Sequence, residues 1–207
     1  WEGSIWTHND NSDVNLYRID TLTNPSVLTG FNLGPLSNYD WEDIDQDSLF
    51  IYLGDVGNNG NGNRTDLKIY RIAKNTVISG NPEVDTILFS YSTQTDFSGT
   101  GANNTDYDCE AFIVKGDHIY LFTKEWVSNQ TRLFEIPKAP GTHTANLVAQ
   151  FNAQGLITGA VYHENPELIV LCGYSETLQP FTYLLYDFNG TNFFNGNKRR
   201  LSVNLPF

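Results

Sequence analysis

The sequence has no methionine, only two cysteines and few basic residues, and it lacks any long apolar run. Twelve Lys and Arg stand against 24 Asp and Glu, for a formal charge of −12 and a pI near 4.5. Such a field repels nucleic acid and excludes that class of partner. It suits cation binding, but on charge alone the favoured reading is a solvated acidic surface. No stretch approaches the roughly 20 apolar residues of a membrane span, and no signal peptide is present. A chain numbered from Trp1 reads as the interior of a processed or trimmed protein. Cys109 and Cys172 sit in apolar stretches of different repeats, which reads as two buried thiols rather than a disulfide. The four histidines (His8, His118, His143, His163) are too scattered for a zinc site.

What the chain does have is aromatics, at 14 %, and short apolar runs punctuated by Gly and Asn. That composition favours many strands and turns. A length of 207 residues suffices for one domain or for part of a larger repeat array. The repeat is visible directly. Tyr39-Asp40-Trp41-Glu42-Asp43-Ile44 returns as Tyr107-Asp108-Cys109-Glu110-Ala111-Phe112, each followed by an apolar strand, Leu49–Leu53 and His118–Phe122. The spacing is 68 residues from Glu42 to Glu110 and again from Tyr52 to Tyr120. Self-similarity over such a distance marks repeated supersecondary units.

Four segments align as four-stranded antiparallel units, the blades of an all-β β-propeller: residues 1–37, 38–92, 105–152 and 156–207 of a single domain. The second segment gives strands at Trp41–Asp45, Leu49–Leu53, Leu67–Ile72 and Thr86–Tyr91. The third gives Cys109–Lys115, His118–Thr123, Arg132–Ile136 and Asn146–Phe151. The fourth gives Gly159–His163, Leu168–Gly173, Thr182–Phe188 and Arg200–Leu205. The first lacks an inner strand and shows only Ser4–Asp10, Asn15–Asp20 and Ser26–Phe31. No window carries a helical apolar stripe. Unmatched ends predict part of a five- or six-bladed ring with a further blade after Phe207, the alternative being an unusual four-bladed closure.

In an antiparallel blade the start of the inner strand and the end of the second strand share one face. Asp40, Glu42, Asp108 and Glu110 start inner strands. Thr7-His8-Asn9-Asp10, Gly54-Asp55-Val56-Gly57-Asn58-Asn59 and Thr123-Lys124-Glu125 end second strands. Topology therefore gathers carboxylates and amides at one mouth of the central channel. Like charges so gathered raise one another's pKa unless a cation or basic group neutralises them. Ca²⁺ suits an all-oxygen set, with Asp40, Glu42, Asp55, Asn58, Asp108 and Glu110 as candidate ligands. The bland alternative is that the carboxylates cap backbone N–H groups of adjacent blades. The Asp55–Asn63 loop, which lacks EF-hand spacing, reads equally as a calcium loop and as a turn whose amides bond their own backbone. Thr7, His8, Asn9, Asp10, Arg64, Lys124 and Glu125 are candidate ligand-binding residues. Arg64 and Lys124 either hold an anion or form salt bridges to Glu42 or Glu110. Trp41 reads as packing, and Trp6 and Trp126 as flanks of the mouth. His8, Glu42 and Glu110 are the candidate catalytic groups, without a Ser/His/Asp triad or a Gly-x-Ser-x-Gly elbow.

Six motifs in order carry a resemblance. They are Trp6-Thr7-His8-Asn9-Asp10, Asp40-Trp41-Glu42-Asp43-Ile44, Gly54-Asp55-Val56-Gly57-Asn58-Asn59 followed by Arg64, Tyr107-Asp108-Cys109-Glu110-Ala111, Thr123-Lys124, and Ile157-Thr158-Gly159-Ala160. Over nearly its whole length the chain resembles a largely uncharacterised family of secreted bacterial β-propellers, common in Bacteroidetes and often preceding a type IX secretion sorting domain. The resemblance implies a propeller and a secreted, cell-surface or periplasmic location, with another Glu-bearing inner strand after Phe207. More distantly it is similar to calcium-dependent phytase-like propellers, which implies a channel mouth for calcium and phosphate. Cys109 and Ala160 depart from the family pattern, and the latter removes a carboxylate from the fourth segment. The sequons at Asn63, Asn103, Asn129 and Asn189 agree with an extracellular setting. Three readings follow: a monomeric extracellular domain of a larger chain, binding a small anionic ligand or surface partner with Ca²⁺; a calcium-dependent phosphoesterase; or a structural module of a surface assembly.

Overall fold

The computed structural model describes residues 1, 3–10, 12–23 and 26–203. Leu205, the expected end of the last strand, lies outside them. The described chain is all-β, with fifteen strands and one helix of five residues. The first sheet is β1 (Ile5–His8), β2 (Asn15–Asp20) and β3 (Val27–Asn32), antiparallel throughout. Two four-stranded antiparallel meanders follow. One is β4 (Trp41–Gln46), β5 (Phe50–Asp55), β6 (Lys68–Ala73) and β7 (Val84–Tyr91). The other is β8 (Asp108–Lys115), β9 (His118–Lys124), β10 (Thr131–Pro137) and β11 (Gly141–Phe151). The last sheet is β12 (Leu156–His163), β13 (Leu168–Tyr174), β14 (Pro180–Tyr186) and β15 (Asn197–Ser202).

The two meanders are not separate. Strand β11 pairs with β10 through Asn146–Phe151, and with β7 in parallel through Gly141–Ala145. This joins the meanders into one eight-stranded sheet, β4-β5-β6-β7-β11-β10-β9-β8. Residues 141–145 read as a connection because a parallel, non-local pairing leaves no local signal in the sequence. The helix α1 (Lys74–Ile78) was also unforeseen, since a single turn is too short to show a stripe. It is fixed by Val77 in the core and by Lys74 Nζ donating to the Asp47 carbonyl.

The second strands read as unbroken apolar runs because both of their faces are covered. On β9, Ile119 and Leu121 face the core shared with the β4–β7 meander, while Tyr120 and Phe122 face the core shared with the last sheet. On β5, Tyr52 joins the first of these cores, and Ile51 and Leu53 pack toward the first sheet with Leu16 and Trp41. Period-two alternation thus feeds successive layers, and each fully buried Leu, Ile or Phe contributes about 1.5–3 kcal/mol. Cys109 is buried, as expected; Cys172 is exposed, which corrects the expectation of two buried thiols, and both are free. No described helix is long and apolar enough to cross a membrane.

The end strands of the eight-stranded sheet, β4 and β8, come together and nearly close it. They meet through side chains. Asp43 Oδ2 accepts the Phe112 N–H at 2.8 Å and Asp45 Oδ2 accepts the Val114 N–H at 2.6 Å. Alternate residues of one strand so supply the acceptors that a neighbouring strand would otherwise offer. The expected backbone-capping role is filled in part by Asp108, which accepts the Asn58 N–H of the preceding meander, and also by Asp43 and Asp45, present in the sequence as two carboxylates on one face of β4. Asp43→Ala or Asp45→Ala leaves a strand N–H without an acceptor. Each is expected to lower the unfolding free energy in urea by about 1–3 kcal/mol. The Asn variants keep a carbonyl acceptor and should lose less than half of that. Equal losses for Ala and Asn would show that the bridge contributes nothing.

Candidate cation site

The repeated glutamates are placed by a repeated irregularity. Between β4 and β5 the pairing steps from Trp41↔Asp55 to Asp43↔Gly54, leaving Glu42 as the extra residue of a bulge. Between β8 and β9 it steps from Cys109↔Thr123 to Ala111↔Phe122, leaving Glu110. Between β12 and β13 it steps from Ile157↔Gly173 to Gly159↔Cys172, leaving Thr158. A bulge re-aims its extra side chain and recurs beside functional sites. Since β4 lies against β8, Glu42 and Glu110 come within electrostatic reach of each other, together with Asp40 and Asp108.

Asp10, Asp40 and Glu42 each offer a carboxylate oxygen, and the three oxygens lie within 4.8 Å of one another. Asp10 reaches the group because its carbonyl accepts the Trp41 N–H at 2.8 Å, and the Asn38 amide ties down the Asn9 carbonyl at 3.1 Å. Asp10 is exposed, and Asp40 and Glu42 are half-buried. Among the described residues, no hydrogen-bond donor reaches the Asp40 or Glu42 carboxylate. Burial pushes the Glu42 carboxyl up to about 9, helped by the charges of Glu110, Asp40, Asp108 and Asp10. Asp40 rises to about 6 through burial and the charges of Asp108 and Asp10, with Arg64 opposing. Gly57 makes the approach possible: a Cβ there would collide with the Asp40 carboxylate and stand 2.5 Å from Glu42 Oε1.

The other expected ligands are held by protein partners. Asp55 is fully buried, with Oδ1 2.9 Å from Arg64 Nη2 and Oδ2 3.3 Å from Lys68 Nζ. Asp108, also fully buried, accepts from the Asn58 N–H at 2.6 Å and from the Trp126 indole at 2.8 Å. Asn58 spends both ends of its amide, donating to the Tyr107 carbonyl and accepting from the Arg64 N–H. These three hold the loop that carries Gly57. Glu110 is 2.5 Å from Lys124 Nζ, which also sits 4.2 Å from the Trp126 ring centre. Burial raises the Glu110 carboxyl against the opposing pull of Lys124. Of the two expected salt bridges, Lys124–Glu110 forms, whereas Arg64 pairs with Asp55 and Asp66 instead of Glu42.

Glu125 is buried and occupied by Arg132, Thr123 and Ser128, as an anchor of the β9–β10 turn. His8 packs edge-on to Trp41 at 6.2 Å and bonds the Asn9 carbonyl; burial lowers its pKa, with Asn9 and Asp10 opposing. Thr7 is exposed, and the Asn9 amide is taken by Asp13. Trp41 is core, as expected. Trp6 does not flank the mouth but stacks on Trp1 at 4.7 Å, in a recess shared with Asp45 and Gln46 at the far end of β4. Sequence reasoning missed Gly57 as a contact residue, although its place in the Gly-Asp-Val-Gly-Asn-Asn motif marked the segment.

No protein-family model matches the chain, and no curated protein matches it significantly.

The raised carboxyls give a defined pH dependence. Between pH 6.5 and 8.5 the unfolded chain has these groups ionised, while the native chain keeps protons on Glu42, near 9, and on Asp43, which burial lifts to about 8 against two backbone N–H donors. The native state then binds more protons, so stability falls as pH rises through this window. Asp47, held at about 2 because four hydrogen bonds outweigh its desolvation, acts only below it, and His8 acts at the window's lower edge and below. The melting temperature in EDTA is expected to drop from pH 6.5 to 8.5, with a clearly shallower slope in Glu42→Gln. A flat or rising profile in the unsubstituted chain would contradict this electrostatic picture.

Proposed function

We propose that the chain is part of an extracellular β-propeller that holds Ca²⁺ at the mouth of its central channel, with Asp10, Asp40 and Glu42 as ligands. The first sheet, the two meanders and the last sheet are then four successive blades of a larger ring, of the secreted bacterial kind whose motifs the chain resembles. In support, β4 packs on β8 and β8 on β12, as inner strands about one axis would. The observation that carries the cation is Glu42: a bulge aims it into a space it shares with Asp10 and Asp40, and among the described residues no donor compensates it there. A hard cation of flexible coordination supplies the missing charge. An all-oxygen donor set suits Ca²⁺ better than zinc, which favours thiolate and imidazole. Asp10, Asp40 and Glu42 would hold the ion, and water or a ligand would complete its oxygen coordination.

Thermal unfolding tests this reading. Ca²⁺ at about a hundred times its Kd should stabilise the native state by about 2.7 kcal/mol. For a chain of this size that is a rise of about 5–10 °C. Glu42→Gln and Asp40→Asn should reduce the shift sharply, and Gly57→Ala, whose Cβ fills the space between the carboxylates, should abolish it. An unchanged melting temperature at 10 mM Ca²⁺, a concentration chosen to be well above the about 0.1–1 mM Kd of extracellular calcium modules, would refute it.

A further inference from the structure

Beside the carboxylates lies a cleft of about 190 Å³ that shares Asp40 with them and is otherwise lined by Tyr39, Arg64 and the asparagine-rich loop. The loop backbone is pinned from several sides. Asn58 N–H donates to Asp108, Gly62 N–H to the Asn58 carbonyl, Asn103 N–H to the Asn59 carbonyl, and Thr100 N–H to the Asn61 carbonyl. The buried Gln94 amide holds the Gly62 carbonyl at 2.8 Å. Asn58 spends its side chain on this scaffold, but the amides of Asn59, Asn61 and Asn63 have no partner among the described residues. Three amides presented on a fixed backbone offer both donors and acceptors to whatever enters. Tyr39 is 67 % exposed, with the Arg64 guanidinium 4.6 Å from its ring centre.

The charges argue against an anion in this cleft. Arg64 spends its three nitrogens on Asp55, the Gly57 carbonyl and Asp66, at 2.9, 2.7 and 3.0 Å. Lys124 is committed to Glu110 and Lys68 to Asp55 and Asp66. A divalent cation among three carboxylates still leaves a net negative charge, which repels phosphate or carboxylate and tolerates a neutral oxygen ligand. We propose that the cleft binds a neutral polyhydroxylated ligand, a sugar or glycan, which places a pair of hydroxyls on the cation at Asp40 and bonds its others to Asn59 and Asn61, with Tyr39 as an apolar wall. The proposal deepens the cation reading and rests on it.

Saturation-transfer NMR with D-mannose, D-galactose, their disaccharides and inorganic phosphate, each with Ca²⁺ and with EDTA, tests it on the same sample whose calcium-dependent melting shift is recorded. The expected result is sugar signal with Ca²⁺ alone, no phosphate signal, and at least a tenfold weaker sugar Kd in Asn59→Ala and Asn61→Ala, both of which keep the calcium shift. A calcium shift without any sugar signal, sugar signal that survives EDTA, or phosphate binding would overturn this inference and leave the cation site standing. Absence of the calcium shift itself would overturn the reading beneath it.

Discussion

Two aspartates do what a hydrogen-bonded ladder would otherwise do. Strands β4 and β8 approach each other at the open ends of the eight-stranded sheet, where strand N–H groups would face an apolar core without acceptors. Asp43 and Asp45 supply those acceptors to Phe112 and Val114. The contact fixes the register of β4 on β8, and with it the positions of the bulged Glu42 and Glu110 one turn of the pleat away. Burying a carboxylate is costly, and the two N–H donors each acid accepts lower that cost without removing it. Asp43 remains well above its ordinary pKa.

A division of labour among carboxylates follows. Asp55 and Asp108 are fully buried; Asp55 is ion-paired with Arg64 and Lys68, Asp108 accepts from Asn58 and Trp126, and they shape the loop that carries Gly57. Glu110 is neutralised by Lys124. Among the described residues, Asp10, Asp40 and Glu42 are left facing one another without a hydrogen-bond donor, where Gly57 lets the loop backbone pass against Asp40 and Glu42. Among the described residues, the neighbouring acids Asp55, Asp108 and Glu110 thus have basic or N–H partners, and Asp10, Asp40 and Glu42 are the exception. An unneutralised group in an otherwise satisfied surrounding is what a cation site requires.

Much of this was legible beforehand. The 68-residue echo of Asp-x-Glu, and the apolar second strands after each copy, located the strands within a few residues and put the acids on one face. What could not be read was non-local. The parallel pairing of β7 with β11 depends on residues far apart in sequence, and so does the choice of Asp55 over Glu42 by Arg64. The bulges were hidden because an extra residue in one strand is visible only against its partner. Glu125 looked like part of the mouth beside Lys124, yet successive residues point to opposite sides, and it turned inward to Arg132.

On the proposed cation reading, Glu42, which burial and then the neighbouring acids hold protonated near neutrality, gives up that proton to the metal. Calorimetric titration of Ca²⁺ at pH 7, repeated in buffers of different ionisation enthalpy, reads the protons released per ion bound. Release of about one proton, falling towards zero in Glu42→Gln, is the result this account requires. Binding without proton release, or no binding heat in any buffer, would contradict it.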